Sequence, residues 1–205
     1  MPISKKLTKY LEAQGAKFDV VSHRTVFTAY DAAATLKREL HEIAKTLLIA
    51  ADKQLVLAVV PANKKLDLEK IKKALKATKV VIASEKQLVA ALKIKPGTLS
   101  AFGSLHKLQV LADDSLTKAK KIVLSSGSTT DSIIMPTVAY LKLEGAKIAK
   151  IAIGGGYTLP KLAKKKLKKK KSSKKAVKKG GKKQITAKAS TKKKSAKKVA
   201  KKKAK

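Results

Sequence analysis

The chain has 205 residues, in which 50 Lys and Arg stand against 13 Asp and Glu, giving a formal net charge of +37. This balance predicts polyanionic partners. The absence of cysteine excludes a disulfide framework, a thiol nucleophile and a zinc site built on sulfur. No apolar run has the length of a secretory signal or a membrane span, so we expect a cytoplasmic protein without a membrane partner.

The charge is unevenly distributed along the chain. Every acidic residue precedes Ala146, whereas Lys161 to Lys205 contains 24 lysines and no acid. Residues 1–160 therefore carry +13 and the remainder +24. We expect one folded domain over residues 1–155 and a disordered Lys-rich tail over residues 156–205, because the tail has little to bury. The tail lysines predicted to contact nucleic acid are Lys164, Lys165, Lys166, Lys168, Lys169, Lys170 and Lys171.

The first elements are two short helices around one strand. Ser4 can cap a first helix, and Gly15 is the residue type expected just after its end. Phe18 to Val21 reads as a strand. Thr28 and Asp31 have the spacing of a capping box and predict the start of a second helix.

A buried hairpin follows. Leu47 to Ala50 and Leu55 to Val60 are apolar runs joined by a short polar turn, and they predict neighbouring strands with both faces covered. Lys45 is a lysine at the mouth of the first run, where core packing alone would not place it. Asp67 predicts the N-cap of a third helix.

The second half alternates short strands with loops and helices. Ser84 and Gln87 predict a capped helix to Leu92, and Lys95 to Gly103 reads as a loop. A last helix is expected from Pro136 to Glu144. The strands predicted here are Val80 to Ala83, Leu108 to Ala112, Lys121 to Ser125, Ser132 to Met135, and Lys147 to Ile153. These elements favour an α+β fold, a mixed and curved sheet or barrel with helices outside.

Motifs for metal or nucleotide cofactors are not indicated. His41-Glu42 begins like a zinc-protease helix, but the second histidine would fall at Lys45. Gly154 to Gly156 follows the last strand and lacks dinucleotide-loop spacing. Ser125 and its neighbours have no general base beside them in sequence, so a Ser-His-Asp arrangement would need a histidine brought in by the fold: His23, His41 or His106.

Five segments in register resemble the YbaK-like aminoacyl-tRNA deacylase family, which includes the editing domain inserted in prolyl-tRNA synthetases. The resemblance covers nearly all of residues 1–155, and the tail resembles the Lys-rich tails of linker histones. The five segments are Thr28 to Ala33; the hairpin segment with Lys45 to Leu48, Leu57 to Ala62 and Lys65 to Leu68; Pro96 to Gly103; the stretch around Asp113; and Ser125 to Ile133.

The resemblance implies a hydrolase that removes a wrongly attached small amino acid from tRNA, acting in trans. Lys45 would bind near the ester carbonyl or the terminal phosphate, and Gly97 and Thr98 would offer backbone donors to the oxyanion formed at the carbonyl. No cofactor is implied, and aminoacylated tRNA is the expected partner, with a synthetase as a further one. The residues implied to bind substrate are Thr28, Thr46, Ser100, Ser125, Gly127, Thr129 and Asp131.

Three positions depart from family patterns, so the resemblance does not specify the amino acid. Thr129 stands where one branch has histidine, Ala101 where many members have proline, and Thr46 where some alanine-selective members carry asparagine. Two alternatives stay open: a catalytically silent RNA-binding module, and a nucleoid-associated protein whose tail binds DNA. Charge alone does not distinguish RNA from DNA.

Overall fold

The computed structural model describes residues 3–154. They form an α+β fold, as predicted, with helices packed on mixed sheets that are not closed into a barrel. The α-helices are α1 (Lys5–Ala13), α2 (Ala29–Leu36), α3 (Leu68–Leu75), α4 (Glu85–Leu92) and α5 (Thr137–Leu143). The strands are β1 (Asp19–Ser22), β2 (Ala44–Ala51), β3 (Gln54–Pro61), β4 (Lys65–Leu66), β5 (Val80–Ile82), β6 (Gln109–Asp113), β7 (Lys121–Ser125), β8 (Asp131–Pro136), β9 (Lys147–Ala149) and β10 (Ala152–Ile153).

The largest sheet has the strand order β5-β2-β3-β6-β9. The hairpin β2-β3 lies at its centre, as the two apolar runs predict, and β3 pairs with β6 in parallel. A second sheet, β1-β8-β7, is antiparallel, and a single parallel bridge between Ile43 and Val123 joins its edge to the start of β2. The two sheets therefore meet at the N-terminal end of β2.

Three apolar clusters hold these layers together. One face of the central sheet packs on α1 and α5. In this cluster the rings of Phe102 and Tyr140 pack edge to face, with their centroids 5.7 Å apart. The other face packs on α3 through Ile71. Helix α2 covers the second sheet, with Ala33 against Ile134. Both faces of the hairpin are thus buried, as expected from its continuous apolar sequence.

The predicted helix starts are confirmed. Ser4, Thr28, Asp67 and Ser84 each accept a hydrogen bond from a main-chain amide of the first helical turn, and Thr28 and Ser84 form complete capping boxes. These caps satisfy amides that have no partner within the helix. Within residues 3–154, none of the helices has the length and apolarity needed to cross a bilayer.

The prediction of one strand from Lys147 to Ile153 is wrong. The segment divides into β9, which pairs with β6, and β10, which pairs with β4 in a separate two-stranded sheet. The buried carboxylate of Asp113 accepts hydrogen bonds from the amides of Ile151 and Ala152, at 3.0 and 2.9 Å. The Asp113 carboxylate thus accepts the hydrogen bonds that a neighbouring strand would otherwise accept, and the chain changes direction between β9 and β10. The predicted tail, residues 156–205, lies outside the described residues.

Candidate active site

A pocket of about 420 Å³ lies along an open edge of β2. Strand β3 covers one edge of β2 along its full length, whereas β5 pairs on the other edge only at Ile49 to Ala51. The bridge from Ile43 to Val123 closes the opposite end of that edge. The gap between these attachments leaves the middle of β2 as the pocket wall. The lining comprises residues 26–30, 32, 43–48, 82, 83, 85, 88, 96, 97, 99, 123–125, 128 and 132.

The main chain of Thr46 faces this gap. The carbonyl of Leu48 accepts a hydrogen bond from the Ala83 amide, so it points away from β3. Main-chain groups two residues apart in a strand point the same way. The amide and carbonyl of Thr46 therefore point toward the open edge. The Thr46 hydroxyl is buried and has no hydrogen-bond partner among the described residues.

Lys45 lines the pocket from the neighbouring position of β2. Its cross-strand partner is Val60, which places its side chain on the sheet face covered by α3. The Lys45 ammonium donates a hydrogen bond of 2.9 Å to the carbonyl of Lys64, in the turn after β3. An ammonium has three N–H donors, and this contact uses one of them.

The environment of Lys45 disfavours its charge. Burial lowers the pKa of the Lys45 amine from its ordinary value, and the positive charge of Lys65 lowers it further. Both effects raise the free energy of the Lys45 cation. A negative charge arriving in the pocket would lower that free energy. Lys45 is therefore suited to bind an anion or a developing oxyanion.

The N-terminal end of α2 forms the rim. Thr28 lines the pocket, and its capping box with Asp31 fixes the rim backbone. Phe27 stands beside it with 77% of its surface exposed. An exposed aromatic ring at a pocket mouth is an apolar surface that a ligand can cover.

The loop 96–99 forms a second wall, and it places Gly97 and Thr98 differently. Gly97 lines the pocket with φ +80, and no heavy atom of the described residues, its two chain neighbours apart, lies within 4 Å of the position that a Cβ would occupy. The Thr98 amide and hydroxyl both donate to the Lys95 carbonyl, at 3.2 and 2.8 Å. Thr98 does not line the pocket, and its amide closes the turn that holds Gly97 in place.

Ser100 and Gly127 lie behind the wall. Ser100 is 4% exposed, and its hydroxyl lies 3.5 Å from the carbonyl of Ser125, which does line the pocket. A Cβ on Gly127 would lie 3.3 Å from the carbonyl oxygen of Thr98. The turn at Gly127 and the loop at Gly97 therefore pack closely. Gly127 has φ +87, a conformation that favours glycine.

Thr129 and Asp131 also lie outside the pocket lining. The Thr129 carbonyl accepts a hydrogen bond of 2.9 Å from the amide of Val26, which fixes the rim segment. The Asp131 carboxylate is 7% exposed and accepts hydrogen bonds from Ser22, Thr130 and Ser128. These bonds, with that of Ser22 foremost, lower the pKa of Asp131.

Sequence reasoning missed two serines that line the pocket, Ser128 and Ser132. Ser132 pairs directly with Ser125 on the neighbouring strand β7, so both side chains lie on the same face of the sheet. No local pattern distinguishes Ser132, because residues 131–135 are all buried. In the part of the chain that the structure describes, no group of three or more His, Cys, Asp or Glu side chains could hold a metal ion.

The family described as "Aminoacyl-tRNA editing domain" matches residues 23–143, which include every lining residue of the pocket. A curated relative, the proline–tRNA ligase of Macrococcus caseolyticus (strain JCSC5402), is 31% identical over 91 residues. That match covers 44% of this chain and 16% of the ligase, so the chain corresponds to a small part of that relative.

Two solved structures share the fold. One is described as a candidate trans-editing enzyme for prolyl tRNA synthetase, with a TM-score of 0.66 and 22% identity over 75% of this chain and 100% of that one. The other is the hypothetical protein APE2540, with a TM-score of 0.67 and 20% identity over 73% of this chain and 100% of that one. At 20% and 22% identity these two structures show a shared fold and nothing about activity.

Proposed function

This chain belongs to the aminoacyl-tRNA editing domain family, and we propose that it hydrolyses the ester of a tRNA carrying a wrongly attached small amino acid. The observation that carries the proposal is the position of Lys45 in the wall of a pocket of about 420 Å³. Its side chain is half-buried, and burial disfavours the charged form of its amine. Pockets of this volume suit small ligands.

The chemistry needs few groups. Attack of water on the ester carbonyl places negative charge on the carbonyl oxygen, and collapse of that intermediate releases the amino acid and the ribose hydroxyl. Among the described residues the Lys45 ammonium donates one hydrogen bond, to the Lys64 carbonyl, and its other N–H donors can stabilise the oxyanion. The pocket at the rim of α2 leaves room for the terminal nucleotide, and Phe27 offers an exposed ring for its base.

The wall residues support a small and largely apolar amino acid. Leu48, Leu88 and Leu99 contribute apolar surface, whereas Thr46, Ser125 and Ser132 contribute hydroxyls. Such a pocket corrects the limited discrimination of a synthetase, since one methylene is worth only about 1–3 kcal/mol. Substrate-binding roles for Thr28, Thr46 and Ser125 agree with their place in the lining.

In this proposal five other residues implied by the resemblance support the pocket and do not contact the substrate. Ser100, Gly127 and the Thr98 turn hold the Gly97 wall, while Thr129 and Asp131 hold the rim and the start of β8. Gly97 would then be the backbone donor next to the ester.

The direct test incubates the purified full chain with tRNAs charged with radiolabelled Pro, Ala, Cys or Ser and measures the release of free amino acid. We expect release from at least one of these tRNAs at a rate well above spontaneous hydrolysis. Tight binding of charged tRNA without any release would instead favour the catalytically silent RNA-binding module.

A further inference from the structure

His23 and Ser132 form a hydrogen-bonded pair at the pocket. The Nε2 atom of His23 lies 2.8 Å from the hydroxyl oxygen of Ser132, which is 7% exposed and lines the pocket. His23 follows β1, and Ser132 lies on the adjacent strand β8, so the sheet brings together residues 109 positions apart.

The other ring nitrogen fixes the direction of this bond. The Nδ1 atom of His23 lies 2.8 Å from the carbonyl oxygen of Arg24, which can only accept. Nδ1 therefore carries the proton, and in the neutral ring Nε2 accepts the hydrogen bond from Ser132. A hydroxyl, an imidazole and an acceptor that orients the imidazole are the parts of an activated hydroxyl.

The surroundings hold the imidazole in place. The His23 amide donates to the Thr130 carbonyl at 2.7 Å, and the Arg24 side chain donates to the Thr35 hydroxyl at 2.9 Å. Among the described residues, the carboxylate of Asp131 interacts electrostatically with His23. The carboxylate would stabilise the imidazolium once it forms.

We propose that Ser132 and His23 form the proton relay of the hydrolytic reaction, an inference that rests on the proposed function. As water attacks the ester carbon, its proton passes to the Ser132 oxygen while the Ser132 proton passes to His23 Nε2. When the intermediate collapses, the ester C–O bond breaks, and the same path returns a proton to the ribose oxygen. Ser132 contacts the water, and His23 acts through Ser132.

The experiment compares Ser132→Ala, His23→Gln and the double variant with the wild-type chain on charged tRNA. Glutamine can still accept the Ser132 hydrogen bond but cannot take up the proton, so His23→Gln separates basicity from packing. His41→Gln is the matched control, because the His41 side chain is 46% exposed, pairs with Glu39 and is outside the pocket lining.

We expect each single variant to lower kcat roughly 100-fold or more with little change in KM, and the double variant to lose no more than either one. The acid limb of the wild-type pH profile should vanish in His23→Gln, because the base must be neutral to act. Thermal midpoints equal to that of the wild-type chain would show that the loss of activity is not caused by unfolding.

Near-wild-type kcat in His23→Gln, or losses that add in the double variant, would overturn the relay. An aminoacyl group found covalently on Ser132 would also overturn it, by making Ser132 a nucleophile. Failure of the wild-type chain to release any amino acid is a different result, since it refutes the proposed function and the relay with it.

Discussion

The Nζ atom of Lys45 lies 2.9 Å from the carbonyl oxygen of Lys64, and this hydrogen bond ties the ammonium to the turn after β3. We expect Lys45→Met to lower kcat/KM for charged tRNA at least 100-fold, about 2.7 kcal/mol, because methionine keeps the length but loses the charge. Deacylation kinetics measure this. Lys53→Met, at the exposed turn of the same hairpin, is the control and should retain activity.

The lowered pKa of Lys45 also predicts how stability depends on pH. The folded state binds fewer protons than the unfolded state between the folded pKa and the ordinary lysine value. The burial cost is therefore fully present below the folded pKa and is relieved as pH rises through it. Denaturant midpoints of wild type and Lys45→Met should converge on the alkaline side. Midpoints that run parallel at all pH values would contradict the assigned environment.

A second prediction concerns Asp113, which is 1% exposed. Burial opposes its ionisation, but hydrogen bonds from Ser115 and Ile151 and the charge of Lys64 outweigh burial and lower its pKa. We expect Asp113→Asn to cost about 3 kcal/mol of unfolding free energy, because asparagine has one acceptor oxygen and its NH2 group would face either the N–H donors of residues 151 and 152 or those of Ser115. Urea unfolding measures the cost.

Asp67→Asn is the matched control for Asp113→Asn, since asparagine caps a helix about as well as aspartate. Because the folded pKa of Asp113 is depressed, its contribution is present above the ordinary carboxyl value and is lost as pH falls through the folded pKa. An equal loss in both variants would mean that the β9-β10 break does not depend on Asp113.

Local signals predicted most of the fold. The caps at Ser4, Thr28, Asp67 and Ser84 depend on residues at most three positions away, so sequence spacing reveals them. The break between β9 and β10 depends on Asp113, a residue 38 positions from Ile151. Nothing in the sequence of residues 147–153 records that contact.

The same distinction applies to the site. The family resemblance implies site roles for Lys45 and Gly97, whereas the residues alone indicate a lysine at the mouth of an apolar run and a glycine in a loop. The pairing of His23 with Ser132 depends on the register of β1 against β8, which no local pattern specifies. Likewise, the position of Thr98 and Asp131 behind the lining follows from hydrogen bonds to Lys95 and Ser22.

A third prediction concerns Thr46, whose buried hydroxyl has no partner among the described residues. Thr46→Val should raise the free energy of unfolding by up to about 1 kcal/mol, because it removes an unsatisfied polar group and suits a strand. If the hydroxyl binds substrate, KM should rise several-fold while kcat changes little.

Thr137→Val is the contrasting variant for Thr46→Val. The Thr137 hydroxyl is buried but donates to the carbonyl of Ala119. Its loss leaves that carbonyl unpaired, so this substitution should destabilise the chain by about 1–3 kcal/mol. Thermal unfolding measures both changes. If the two valine variants shifted the stability in the same direction, the Thr46 hydroxyl would not be an unsatisfied group.

A fourth prediction concerns Thr129, which stands where one branch of the family has histidine. Its carbonyl holds the Val26 amide, and its side chain is not part of the pocket lining. Thr129→Ala should therefore change kcat/KM by less than tenfold, about 1.4 kcal/mol. A larger loss in single-turnover deacylation would assign the hydroxyl a donor role.

The last prediction concerns the 24 lysines from Lys161 to Lys205. Lysines that contact a phosphate backbone release counterions, so their contribution to affinity weakens steeply with salt and does not depend on sequence. Deleting residues 161–205 should raise the half-saturating tRNA concentration at physiological salt and flatten the salt dependence of binding. Turnover at saturation should stay nearly unchanged, because the pocket residues all lie before residue 133. The net +13 of residues 1–160 would preserve some affinity.

Titrations of full-length and truncated protein with charged tRNA, with duplex DNA as competitor, measure both effects. Equal kinetics of the two proteins at low and moderate salt would contradict tethering of tRNA, and preferential capture by DNA would favour the nucleoid-associated alternative.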